Sequence, residues 1–471
     1  MLFNSAEFLR FFAAFLLLYW LVRSNLRGRN LLILLASYVF YGSWNYKLLA
    51  LIWVSTLLDY LVGLALGKTS SRPARRWLLL ASLAGNLSIL GFFKYYNFFA
   101  ESLQALGERL GWSFHPAYLD VLLPVGISFY TFQTLSYTID IYRGTLRPTR
   151  NLLDFAAYVA FFPQLVAGPI ERASQLLPQF STPRRITKGM VEEGLWLCIW
   201  GMFKKVVIAD NLAPLVDLVF DPSLSVGGTE IVCGTVAFAL QIYCDFSGYS
   251  DLARGMARFL GFDIMVNFDR PYTATNIQEF WRRWHISLST WLRDYLYISL
   301  GGNRGGRLRT GRNLMLTMVL GGLWHGAAWH FVLWGALHGT GLILHRIWST
   351  WTRSSAPKTG SARRVAGWML TMGLVLYGWL LFRATSLDQV LSMSRALFES
   401  HPQPWTPTLV LNLAFFALPL VLVETWQTKT GDRLVPLKLG LSIRGLLQGG
   451  MILAIVLFWG RVDKPFIYFQ F

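Results

Sequence analysis

Long apolar runs separated by short basic segments dominate the chain, with residues 11–22, 31–40 and 366–382 the clearest. Runs of this length predict membrane-spanning helices. Loop charge then orients them, because Lys and Arg collect on the cytoplasmic side. A first span over 8–22 is followed by Arg23, Arg27 and Arg29, a cytoplasmic signature. The chain returns through 31–44 and goes back in through 48–66 to Lys68, Arg72, Arg75 and Arg76. Residues 77–93 lead out to a segment carrying Glu101, Glu108 and Asp120. This pattern predicts an extracytoplasmic N-terminus.

The other end reads in the same way. A basic linker over 346–364 precedes spans near 365–382, 409–423 and 446–459, and Lys429, Arg433, Lys438 and Arg444 lie between the last two. Three crossings from inside place the C-terminal tail outside as well. In the middle, 122–142, 155–166, 195–209 and 232–243 are apolar but interrupted by prolines and glycines. Irregular backbone survives at membrane depth only inside protein or around a watery cavity, so this region is expected to line an internal site. The fold class is all-α: a single membrane-embedded unit over 1–471 with about ten to thirteen transmembrane helices, plus re-entrant and interfacial helices around a central funnel or tunnel.

Composition agrees. Hydrophobic residues make up 54% of 471 and charged ones 14%, against roughly 25% charged in a soluble domain. The net charge of +18 would suggest nucleic acid in a soluble protein; here the basic residues sit in short loops between spans, so no nucleic-acid partner is expected. Cys198, Cys233 and Cys244 lack paired spacing, so neither a disulfide framework nor a metal centre is expected.

Two histidine segments stand out. In 280–294, Trp281, Trp284, Leu288, Trp291 and Tyr295 form one stripe at helical spacing while Arg282, Arg283 and Arg293 avoid it. That pattern predicts an amphipathic helix at the cytoplasmic interface, with His285 off the stripe and free to face a cavity. The second segment runs from Asn313 to Gly321-Gly322-Leu323-Trp324-His325-Gly326. At helical rise His325 lies roughly 18 Å in from Asn313, near the middle of the bilayer, where an ionisable group is a functional candidate by default. Its flanking glycines would let a substrate approach the backbone. A neutral buried imidazole can take a proton from an attacking hydroxyl, and Asp294 and Asp245 are candidates to orient it. His330 and His338 read as structural. His115 and Asp120 spell a base-and-orienter spacing, but Pro116 and an outer-loop setting make it a coincidence. Arg282, Arg283 and Arg304, with Arg307, stand on the cytoplasmic side, where charge-assisted contacts to a polyanionic donor would be strong.

The stretch Gln241-Ile242-Tyr243-Cys244-Asp245-Phe246-Ser247-Gly248-Tyr249-Ser250-Asp251, followed by the Trp-Arg-Arg-Trp-His and Gly-Gly-Leu-Trp-His-Gly segments, resembles the membrane-bound O-acyltransferase family. Within it the chain is similar to the bacterial branch that O-acetylates exported polysaccharides such as alginate and cellulose. The resemblance implies transfer of acetyl from cytoplasmic acetyl-CoA, a donor substrate rather than a cofactor, to an acceptor outside. It also implies an extracytoplasmic transferase as partner and a location in the bacterial inner membrane. His325 matches the family's essential histidine and His285 its second. The ending, Arg461 to Phe471, resembles an aromatic C-terminal motif of extracytoplasmic acylation systems, which would make Tyr468 a covalent acyl carrier. Two other readings stand beside this one: D-alanyl transfer to teichoic acid, and a proton-coupled transporter or flippase using the histidines as a relay. No internal repeat of the kind common in transporters is visible.

Overall fold

The structure is a computed structural model that describes residues 1–112, 114–165, 168–352, 360–460 and 466–467. Among these residues the chain is helical and has no β-strand. It packs as two compact units, Met1–Ile186 with Leu260–Met265, and Thr187–Phe259 with Val266–Phe471. Among the described residues, six helical stretches are long and apolar enough to cross a membrane: Leu26–Lys68, Arg72–Arg109, Gly228–Phe259, Ser361–Arg383, Thr406–Thr430 and Leu441–Phe458. The protein is a multi-pass membrane protein.

The first unit contains α1 (Ala6–Val22), α2 (Leu26–Asn45), α3 (Leu49–Lys68), α4 (Arg72–Leu90), α5 (Tyr96–Arg109), α6 (Ile127–Arg143), α7 (Leu152–Ala160), α8 (Phe162–Leu165) and α9 (Ala173–Phe180). Polar side chains start several of these helices by accepting otherwise unpaired backbone N–H groups. Ser5 Oγ accepts from Phe8 N at 3.1 Å and Asn25 Oδ1 from Gly28 N at 3.1 Å. Phe162 packs edge-on to Phe11 and Phe15. Several buried polar side chains are hydrogen-bonded to backbone or to one another, which offsets the cost of their burial. Arg29 donates to Phe180 O at 2.9 Å, and Asp59 accepts from Ser82 Oγ at 2.5 Å and Asn86 Nδ2 at 2.9 Å.

The second unit contains α10 (Lys188–Met202), a π-helical segment Phe203–Ala209, α11 (Asp210–Val219), α12 (Gly228–Phe259), α13 (Ile277–Arg283), α14 (Ile286–Trp291), α15 (Gly306–His325), α16 (Trp329–Thr352), α17 (Ser361–Arg383), α18 (Leu387–Ala396), α19 (Thr406–Thr430) and α20 (Leu441–Phe458). The expected interruption near 232–243 is absent, and α12 runs unbroken for 32 residues. Its glycines serve packing. A Cβ on Gly201 would meet Gly248 O at 2.6 Å and one on Gly248 would meet Gly201 O at 2.7 Å. Gly194 and Gly255 repeat the arrangement, at 2.9 and 2.7 Å. Backbone meets backbone here, the small-residue contact of membrane helices. Beyond it the chain widens into the π segment, a feature often found at functional sites.

Candidate active site

The site is built in the second unit from a break that the sequence pattern hides. The amphipathic helix expected over 280–295 does not form. Instead α13 ends at Arg283, His285 takes a left-handed conformation (φ 41), and α14 starts at Ile286. The break is held from outside the helices. Ile286 N donates to Asn267 O at 2.8 Å, and Asp269 N donates to Arg283 O at 2.9 Å. The stripe of Trp281, Trp284, Leu288, Trp291 and Tyr295 is buried in the protein, with Trp281 edge-on to Trp334 at 5.6 Å. It forms core packing rather than an exposed apolar face.

The left-handed turn points the imidazole inward. His285 is fully buried. Its Nδ1 lies 3.1 Å from Asn267 Oδ1, an atom that also accepts from Ser287 N at 3.2 Å and Ser287 Oγ at 2.9 Å. A backbone N–H can only donate, so the Asn267 atom facing it must be the oxygen. His285 Nδ1 must then carry the proton and Nε2 the lone pair. The hydrogen bond therefore selects the tautomer that the neutral imidazole adopts, with the proton on Nδ1 and the lone pair on Nε2.

His325 closes α15 and is 3% exposed. Its ring centroid lies 6.5 Å from that of His285, with Trp324 beside both. Trp334 at 5.0 Å and Phe382 at 5.4 Å stand edge-on to it, so an aromatic cage fixes the ring. The flanking glycines do different work from that expected. A Cβ on Gly322 would meet Phe331 O at 2.1 Å, and one on Gly326 would meet the Phe331 ring at 2.0 Å. They seat α16 against α15 and leave no room for a substrate at the backbone. His338 is buried against Trp334 at 4.6 Å and Trp281 at 5.2 Å, while His330 is half-buried beside Phe331 and His115 is exposed.

The carboxylates named as candidates to orient the histidine have cationic partners. Asp294 pairs with its neighbour Arg293 at 2.7 Å, and Asp245 pairs with Lys205 at 2.8 Å. Asn267, which the sequence reading missed, takes the orienting place. The arginines expected to meet a donor lie outside the cavity wall described below. Arg282 and Arg304 are exposed, and Arg283 is tied to Glu279 at 2.6 Å and to Thr273 Oγ1 at 2.6 Å.

A cavity of about 430 Å³ adjoins the histidine turn, with Asn267 and Phe268 in its wall. Its cations are Lys204, Arg254, Arg270 and Arg433. Lys204 pairs with Asp251 at 2.7 Å, and Arg433 and Arg270 converge on Asp269 at 2.6 and 2.8 Å. Burial works against ionisation of Asp269, yet the hydrogen bond and charge of Arg433 together with Arg270 hold its carboxyl below the usual range. On the far side of His285, Phe246 stands edge-on at 4.7 Å and in turn meets Phe466 of the C-terminal tail at 5.7 Å. Phe466 and Ile467 are buried. Tyr468 lies outside the described residues.

Replacing Asn267 tests the orienting role. Asn267→Ala is expected to lower turnover about tenfold or more, since it leaves buried donors unpaired and frees the imidazole. Asn267→Asp keeps the acceptor but adds a negative charge that favours imidazolium, so the acid limb of the pH–rate profile moves to higher pH. An unmoved limb in a folded Asn267→Asp protein rules out contact between this residue and the titrating base.

The model of the membrane-bound O-acyltransferase family matches residues 146–387. The chain is 49% identical over 403 residues to a probable alginate O-acetylase of Azotobacter vinelandii, covering 85% of this chain and 78% of that one. It is 38% identical over 397 residues to a peptidoglycan O-acetyltransferase of Helicobacter pylori, covering 78% and 73%. A teichoic acid D-alanyltransferase of Streptococcus thermophilus is 30% identical over 237 residues, 48% of this chain and 57% of that one.

Proposed function

Because the chain belongs to the membrane-bound O-acyltransferase family and is an O-acetyltransferase, we propose that it moves acetyl groups from cytoplasmic acetyl-CoA to an exported polysaccharide of the alginate or cellulose type. It works in the bacterial inner membrane with both termini on the periplasmic side, and passes acetyl to an extracytoplasmic transferase. The observation that carries this reading is the pair of buried histidines 6.5 Å apart, one with Nδ1 held by Asn267, beside a cavity whose wall carries four cations and four carboxylates.

The reaction runs in two balanced steps. His325 takes the phenol proton of Tyr468 while that oxygen bonds to the thioester carbonyl carbon. The C–S bond breaks and the coenzyme A thiolate leaves with the proton returned by the imidazolium. In the second step a hydroxyl of the acceptor attacks the carbonyl carbon of the aryl ester, the acyl C–O bond to the Tyr468 oxygen breaks, and the acceptor's proton ends on that oxygen. Splitting one long transfer into two is ordinary nucleophilic catalysis. A phenol of pKa about 10 leaves more readily than a sugar hydroxyl. His285 handles the donor. Arg282, Arg283 and Arg304 meet the polyanionic part of the donor on the cytoplasmic side, and the cavity's Lys204, Arg254, Arg270 and Arg433 offer further cations to it. Donor phosphates compete there with Asp251 and Asp269 for the same guanidinium and ammonium groups, charge-assisted contacts of similar strength.

The test is radiolabelled acetyl-CoA supplied to the purified protein in proteoliposomes. Label is expected on the protein and, with partner and polymer present, on the glycan. No labelling from free acetyl-CoA, with labelling from carrier-bound D-alanine, would establish the teichoic acid reading instead. Uptake of solute without chemistry would establish a transporter.

A further inference from the structure

Two buried carboxylates of the second unit, Asp210 and Asp245, are arranged around one buried lysine. Lys205, on the π segment, is 1% exposed and places Nζ 2.8 Å from Asp210 and 2.8 Å from Asp245. One cation between two carboxylates leaves an excess of negative charge away from water, which requires further donors. At Asp245 the donor comes from the far end of the chain: Ile467 N donates to Asp245 Oδ2 at 2.7 Å, a buried hydrogen bond across 222 positions of sequence. Phe466 packs against Tyr249 at 4.5 Å and Phe246 at 5.7 Å. Asp245, Phe246 and Tyr249 lie close together on α12, with Tyr249 one turn beyond Asp245. Phe246 is the residue that stands edge-on to His285.

We propose that Asp245, braced by Lys205 and Asp210, is a positioning residue that docks the C-terminal tail for acetyl transfer. The inference rests on the relay reading above, since the docked residues immediately precede Tyr468 in the sequence. The grip is on backbone, so it fixes the tail without consuming any side chain that the chemistry needs. An ionised acceptor makes that single hydrogen bond stronger than a neutral one. Lys205 holds the Asp245 carboxylate in place with its ion pair at 2.8 Å; it does not touch the tail itself through any of these bonds.

The full-length protein in proteoliposomes carries the test. Ile467→Cys retains the backbone N–H, and its reaction with a maleimide is followed by peptide mass mapping, which separates it from Cys198, Cys233 and Cys244. Adding Asp245→Ala is expected to speed labelling at 467 about tenfold or more, while Asp245→Asn, whose amide oxygen still accepts, stays near the parent rate. With Ile467 in place, Asp245→Ala is expected to cut the acetyl adduct on the tail at least about tenfold, and Asp245→Asn to restore most of it. Should Asp245→Ala fail to accumulate, Ile467→Pro removes the same hydrogen bond from the tail side, leaves the charge cluster intact, and must lose the adduct equally. Unchanged labelling and unchanged adduct overturn the docking. A freed tail with an undiminished adduct overturns the positioning role. A fully active Tyr468→Phe overturns the relay alone, because cysteine labelling at 467 is indifferent to it, so the two failures are read apart.

Discussion

His325→Ala is expected to reach the membrane folded and to have lost acetyl transfer by about 10²-fold or more, the contribution of a positioned general base. The residue is encased by Trp324, Trp334 and Phe382, so truncation opens a small void in an otherwise aromatic shell. That shell is built from α15, α16 and α17, and its rings touch one another as well as the histidine, with Trp334 and Phe382 at 5.6 Å. Folding therefore does not hang on the imidazole. His325→Phe refills the void without restoring a base, and separates a packing defect from a chemical one. Transfer in either variant within a few-fold of wild type removes His325 from the chemistry. His285→Ala should also lose activity, but with a change in donor dependence that His325→Ala does not share.

Tyr468→Phe is expected to insert normally and to leave the polymer without acetyl. The change removes one oxygen and keeps the ring, so a residue that served only as an aromatic anchor would tolerate it. A residue that carries acetyl cannot, because the nucleophile is gone. Intact-mass measurement of the wild-type protein after incubation with acetyl-CoA should find a labile adduct of about 42 Da on the tail, one acetyl in place of one proton, as a covalent intermediate requires. The adduct should be absent from the Phe variant and should discharge when acceptor is added. A fully active Phe variant would leave Tyr468 as an anchor. The docking of Phe466 and Ile467 beside α12 is the physical setting in which the measurement is made.

Sequence pattern sufficed where a single helix face or a single run carries the signal. The apolar runs near 365–382, 409–423 and 446–459 are α17, α19 and α20, because hydropathy over about twenty residues is a local property. His325 was found from its depth along one helix. The break at His285 was not, because nothing between Phe280 and Tyr295 opposes a helix. The turn is imposed by Asn267, 18 residues away, through contacts to Ile286 and Ser287. A lone asparagine between Val266 and Phe268 signals a buried partner but does not name it. The cations of the cavity are not legible for a related reason: loop charge reports the side of the membrane, while they come from four separate stretches, at Lys204, Arg254, Arg270 and Arg433. The glycines around His325 were read as access for a ligand, whereas the atoms they avoid belong to Phe331 on the next helix.

The backbone contact between α10 and α12 has one more implication. Long lysine side chains normally surrender rotamer entropy when they are pinned, on the order of 1.5–2 kcal/mol each. Here the facing glycines lock the two helices in register before any side chain is placed. Lys204 and Lys205 leave the π segment already directed to opposite sides, one toward Asp251 and Ser247, the other toward Asp210 and Asp245. Their ordering is thus settled during folding, and neither an arriving thioester nor the tail has to organise these lysines at the moment of binding.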